Sequence, residues 1–187
     1  MTRLLTLAAA LVFAPTLALA APALWAVDHN ASHLTFSSTV SGQAFTGTFR
    51  HWDAVIHFDP KDLAQSDVTA TIDIASAATG SKDGDAELPD QDWFWTSHFP
   101  RATFTAHGFA PAGPGRYVAN GTISIRGVSK PLTLPFTLAI TGPVAKMHAD
   151  VSLNRLVFGV GQGEWAATDT VPANVAVHID LTARRTP

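Results

Sequence analysis

Eight histidines are the first residues to test for chemistry. His29 and His33 are four positions apart, but on an extended strand that spacing separates the side chains by about 13 Å. Metal ligands must converge to about 2 Å from one ion. His51 and His57 lie around a turn, and their spacing does not bring them together, so no metal is expected. The carboxylates Asp83, Asp85, Glu87, Asp90 and Asp92 crowd one stretch without the spacing of a helix-loop-helix calcium loop; they read as a solvated acidic loop. Gly159-Val160-Gly161-Gln162-Gly163 lacks the third-glycine spacing and the following helix of a dinucleotide site, which leaves a tight turn. The chain has no cysteine and no Gly-x-Ser-x-Gly elbow, so the common nucleophile motifs are missing. An enzyme is not expected.

The elements that would have to position any site alternate with a period of two. Tyr117, Ala119, Gly121, Ile123 and Ile125 form one apolar stripe, and Leu132, Leu134, Phe136, Leu138 and Ile140 form another. The polar run Arg126–Pro131 turns the chain between them. Ten residues of strand reach roughly 33 Å, longer than most strands. Similar stripes run through Leu34, Phe36, Ser38 and Val40; Phe45, Gly47 and Phe49; Ala54, Ile56 and Phe58; and Val68, Ala70, Ile72 and Ile74. Ala102, Phe104 and Ala106 follow, then Met147 to Leu153, and finally Val175, Val177, Ile179 and Leu181. Eight or nine strands separated by turn signals predict an all-β sandwich or barrel. Within the long hairpin, Pro135 cannot donate to a ladder, which predicts a bulge or an unpaired stretch there. The one interruption, Ser76–Pro100, predicts a short helical segment around residues 85–96, capped by Asp90 and carrying Trp93, Phe94 and Trp95.

The first twenty residues read as an export signal: a basic start at Arg3, an apolar run Leu4–Phe13, Pro15, and a small-x-small cleavage site at Ala18-Leu19-Ala20. Cleavage after Ala20 leaves residues 21–187 as a single domain, large enough for its own core. An exported chain without cysteine draws its stability from burial and strand pairing. A formal net charge of −3 argues against nucleic acid, which would require a basic stripe.

Two interiors fit the stripes, a solid core or a hollow one. Small residues at Ala70, Ala106, Ala119, Gly121 and Ala149 favour the hollow one. The ordered set Trp25-Ala26-Val27-Asp28, Phe45-Thr46-Gly47-Thr48-Phe49, Phe99-Pro100-Arg101-Ala102-Thr103-Phe104 and Asn154-Arg155-Leu156-Val157-Phe158-Gly159-Val160, with the long hairpin, resembles the YceI-like family of periplasmic lipocalin-like proteins. The resemblance spans about Leu24 to Ala183. It implies an eight-stranded antiparallel lipocalin-like β-barrel holding an isoprenoid or other long-chain amphiphile. The acidic segment departs from the pattern: Gly84-Asp85-Ala86-Glu87-Leu88 stands where many members have Arg-Asp-x-His-Leu, so headgroup contacts of that Arg and His do not carry over. The remaining variant resembles a branch associated with membrane b-type cytochromes, which implies a quinone as guest and such a cytochrome as partner. No cofactor beyond a bound isoprenoid lipid or quinone is implied.

On this reading the ligand-binding wall comprises Leu34, Phe36, Phe45, Phe49, Ile56, Phe58 and Phe104. Ile123, Ile125, Leu134, Phe136, Leu138, Phe158, Val177 and Ile179 complete it. Trp93, Phe94 and Trp95 act as a lid over the tail or as an aromatic plug closing the barrel bottom. Tyr117, the one tyrosine, puts its hydroxyl at a headgroup or at water on the rim. Arg155, in the family's Arg-x-x-Phe-Gly motif, is expected to be buried against an acidic partner such as Asp85.

Overall fold

A computed structural model describes residues 22–186; the expected export signal lies outside the described residues. One antiparallel sheet contains β1 (Leu24–Val27), β2 (His33–Val40), β3 (Gln43–Phe49), β4 (Trp52–His57), β5 (Asp67–Asp73) and β6 (Ala77–Ala78). It continues through β7 (Arg101–Pro111), β8 (Arg116–Ile125), β9 (Val128–Thr141), β10 (Val144–Asn154) and β11 (Asn174–Arg185).

Three walls of the barrel are broken strands. β1 and β2 both pair along β11, Val27 opposite Ala183 and His33 opposite Asp180, with a 3-10 turn at His29–Ala31 between them. β3 and β4 follow one another across a bend at Arg50–His51, and β5 and β6 across a 3-10 turn at Ile74–Ser76. With each such pair taken as one wall, the barrel has eight. The ring closes because β1 pairs with β4 on one side and β11 on the other. Side chains hold the bends: Asp73 accepts from the Ala75 amide, and Ser76 Oγ accepts from the His51 amide at 3.0 Å while donating to the Asp73 carbonyl at 2.6 Å.

Ser41-Gly42 and Arg126-Gly127 join β2 to β3 and β8 to β9 as two-residue turns. All four residues have positive φ, between 49° and 81°, the backbone that a tight hairpin matching strand twist requires. Pro135 sits in an unbroken ladder with β8, opposite Val118. On its other side the pairing of β9 with β10 ends at Thr137–His148, so Pro135 lies in an unpaired stretch and its missing N–H costs nothing. The bulge falls elsewhere, in β7 between Ala106 and Gly108.

The helix is earlier and shorter than the sequence predicts. α1 (Lys82–Glu87) starts at Ser81, whose side chain accepts from the Gly84 amide. Asp90 instead anchors turns, its carbonyl accepting from the Trp93 and Trp95 amides at 3.1 and 2.8 Å. The three aromatics are therefore presented by turns, with Trp95 at φ 50°.

The end of the barrel at β1 and the C-terminal part of β11 is shut by aromatics. Phe58 contacts the rings of Phe109, Tyr117 and Phe136 with centroids 5.3, 5.6 and 6.2 Å away, and Trp25 Nε1 donates to the Phe58 carbonyl at 2.9 Å. The opposite end carries the β2–β3 turn, α1 and the segments after β6 and β10.

Candidate functional site

The inward stripes enclose a cavity of about 830 Å³, within the usual range of small-molecule sites, roughly 300–1,000 Å³. Every wall contributes: Leu34 and Phe36, Ile56, Ala70, Phe104, Ile123, Leu134, Val151 and Ile179 all face it. Its exposed lining residues gather at Val40, Ser41, Gln43 and Ala44 on the β2–β3 turn and at Ser81 and Asp83 beside α1; this is the mouth. Ile140, at the shut end, is the other exposed residue of the lining.

The residues named from the sequence are brought together, with one exception. Leu34, Phe36, Phe45, Phe49, Ile56, Phe58, Trp93, Phe94, Phe104, Ile123, Ile125, Leu134, Phe136, Leu138, Phe158, Val177 and Ile179 all line the cavity. Tyr117 does not. Its ring stacks on Phe136 at 5.6 Å as part of the aromatic closure, so the tyrosine is plug material at the shut end. Lining residues missed from sequence fall both along the walls, such as Trp25, Trp52, Met147 and Leu181, and at the mouth, where Thr79, Ser81, Asp83 and Glu87 sit on a turn and a six-residue helix with no period of two to mark an inward face.

Small inner residues open the cavity less than expected. Ala70 and Ala119 line it, but Ala106 and Ala149, 1% and 2% exposed, are packed over by larger neighbours. A Cβ added at Gly121 would collide with the Thr105 carbonyl and the Phe104 ring. These small residues admit neighbours, and the remaining hollow lies between them.

Trp93 and Phe94 line the cavity, whereas Trp95 packs outside it against His98 and Phe99, with the Arg126 guanidinium 5.8 Å from its ring. Trp93 contacts Trp165 at 5.4 Å and has Arg155 over its ring at 5.7 Å. Phe94, Phe49, Phe36 and Phe45 then form a relay of ring contacts toward the mouth. Trp93 Nε1 and Ser38 Oγ, both on lining residues, are buried with no hydrogen-bond partner among the described residues.

Arg155 corrects the expectation of an ion pair. It is 4% exposed, yet its partners are backbone carbonyls. Nε donates to Pro172, Nη1 to Val160 and Gly161, and Nη2 to Trp165, Ala167 and Val171, at 2.6–3.4 Å. The segment between β10 and β11 runs off the sheet, so its carbonyls need donors, and the five-donor guanidinium supplies them. Burial pushes its pKa down, but the group stays charged. Gly161 has to be glycine, since a Cβ there would sit on Arg155 Nη1. Asp85 is spent locally: it accepts from the Thr79 amide and hydroxyl, and the amide bond, first, holds its carboxyl below the usual range.

The outer wall carries the other polar cluster. Ser37 Oγ lies 3.1 Å from His178 Nε2, and His178 Nδ1 lies 2.6 Å from Asp150 Oδ1, the atom order of an acyl-transfer triad. His148 bridges Asp150 and Asp180 beside it. Among the described residues no oxyanion pocket accompanies the triad: Ser37 sits in β2 between β11 and β3, where neighbouring amides are committed to the ladders. The cluster ties β2, β10 and β11 together. Among the described residues, no three His, Asp or Glu side chains converge at metal-ligand spacing.

Comparison with known proteins places the geometry. The model of the YceI-like domain matches residues 25–183. Protein YceI of Escherichia coli is 30% identical over 129 residues, 67% of this chain and 66% of the relative. A UPF0312 protein of Photorhabdus laumondii is 36% identical over 88 residues, 47% of this chain and 45% of the relative. The chain thus spans about half to two thirds of the length of these curated relatives. Among solved structures, BcnA of Burkholderia cenocepacia is 32% identical with a TM-score of 0.80, covering 83% of this chain and 98% of that one. A polyisoprenoid binding domain from Saccharophagus degradans shares the fold at 16% identity, with a TM-score of 0.69 over 88% of this chain and 99% of that one.

Proposed function

We propose that this chain, which belongs to the YceI-like family, is a periplasmic, non-catalytic carrier that holds a long-tailed isoprenoid lipid, quinone-like, inside its barrel. The cavity carries this reading: about 830 Å³, deep, and lined from every wall by aliphatic and aromatic side chains. Each methylene moved from water into such a lining contributes about 0.8 kcal/mol, offset in part by ordering of the tail. Retention then needs no covalent chemistry. The export signal read from Met1–Ala20 supports the compartment, and the similar barrel described as a polyisoprenoid binding domain supports the class of guest. Among the described residues, Trp93 Nε1 is a buried donor without a partner, and a quinone carbonyl is an acceptor that matches it.

Trp25, Trp52, Trp93 and Trp165 line the cavity, so tryptophan fluorescence reports filling. Delipidated protein titrated with quinones of increasing isoprenoid tail length should bind more tightly with each added unit until the tail fills the barrel. Affinity independent of tail length would contradict the reading.

A further inference from the structure

We propose that the mouth selects headgroups by charge, favouring a cationic or uncharged head and rejecting an anionic one; this rests on the cavity being the lipid site. Among the described residues, three ionisable side chains occur in the lining: Asp83, Glu87 and Arg155. Arg155 cannot serve an anionic head, because its guanidinium is buried and committed to six carbonyls. The two carboxylates are different. Both belong to α1, Asp83 is exposed and Glu87 half-buried, and neither has a salt bridge or side-chain hydrogen bond among the described residues.

The neighbouring cations do not neutralise them. Arg50 acts on Asp85, helping to hold its pKa down, and Lys82 is exposed and absent from the lining. The remaining polar lining residues at this end are neutral: Ser38, Ser41, Gln43, Thr79 and Ser81. A phosphate or carboxylate seated here therefore meets two negative charges and, among the described lining residues, no uncommitted cation. An amine meets two acceptors, and an alcohol or quinone meets neutral donors and acceptors. The deeper wall gives no alternative site for a charged head, since beyond Arg155 it is apolar.

The test uses three probes with one tail: geranylgeranyl amine, geranylgeraniol and geranylgeranyl phosphate, each titrated into delipidated mature protein at neutral pH and low salt. The amine should bind tightest and the phosphate weakest, with each step at least about fivefold, as expected for unit charges interacting near a protein surface. Added salt should compress the series through screening. The variant D83N/E87Q should bring the three affinities within about twofold of one another, and a series that kept its order and spread in this variant would overturn the charge selection. Phosphate binding as tightly as the alcohol, or equal affinities for all three, would overturn the charge selection and leave the lipid reading intact. Failure of all three to bind would overturn the lipid reading, and this inference with it.

Discussion

At the scale of single residues, Arg155 does what a core residue does elsewhere, although it is charged. Lysine offers three donors on a flexible stem against the five of a planar fork, so Arg155→Lys strands several buried carbonyls. A cost of about 3 kcal/mol or more is expected, read as a Tm lower by roughly 6–12 °C; an unchanged melt would contradict the assigned role. The surface cluster yields a pH prediction. The bond to Asp180, first, and then that to Asp150 raise the His148 pKa above its ordinary 6.5. Bonds from His178 and then His148 lower Asp150 below 3.8. A raised histidine stabilises fully below about pH 6.5 and loses its contribution as pH climbs through the folded value. A lowered aspartate contributes above its unfolded value and loses it as pH falls through the folded one. The cluster is therefore strongest between about pH 4 and 6.5, and Asp180→Asn should cost more Tm at pH 5.5 than at pH 8.5. Equal losses at both would remove the linkage. None of the Arg155 partners was legible in the sequence, because carbonyl acceptors leave no side-chain signature; only the likelihood of burial showed, and that suggested a carboxylate.

Among the elements, the long strands were legible and the joints were not. Tyr117–Ile125 and Leu132–Ile140 alternate over enough residues to declare an inner face, and Ile123 and Leu134, 8% and 6% exposed, lie on it. Ring closure depends on β1, four residues long, too short for a period to register. The breaks at His29–Ala31 and Ile74–Ser76 arise from long-range pairing and local capping together. Whether the interior was hollow also escaped the pattern, since a cavity is a difference between distant volumes. Two substitutions test these elements. Ala70, facing the cavity between Ala54 and Phe104, can be enlarged: Ala70→Phe should leave the empty protein as stable as before while shortening the longest tail accommodated. In a solid core the same change would cost about 1–3 kcal/mol by overpacking, and that result would refute the hollow. Ser81→Ala removes the cap of α1 and should cost about 1 kcal/mol locally, accelerating hydrogen exchange at residues 82–87 and leaving the barrel strands protected.

The whole molecule is a container shut by aromatics at one end and opening beside α1 at the other. Filling should stabilise it by mass action, about 2.7 kcal/mol at a ligand concentration 100 times Kd. Loaded protein should therefore melt several degrees above delipidated protein. Ile123→Asp would place a carboxylate in the apolar wall, where an unpaired charge is costly, and should empty or unfold the barrel. The measurement closest to the central claim is native mass spectrometry of protein purified from its native cell, followed by identification of its organic extract. The account predicts one prenylated lipid per chain at near-stoichiometric occupancy, released when the barrel unfolds. Empty protein whose interior also admits no hydrophobic probe would contradict it.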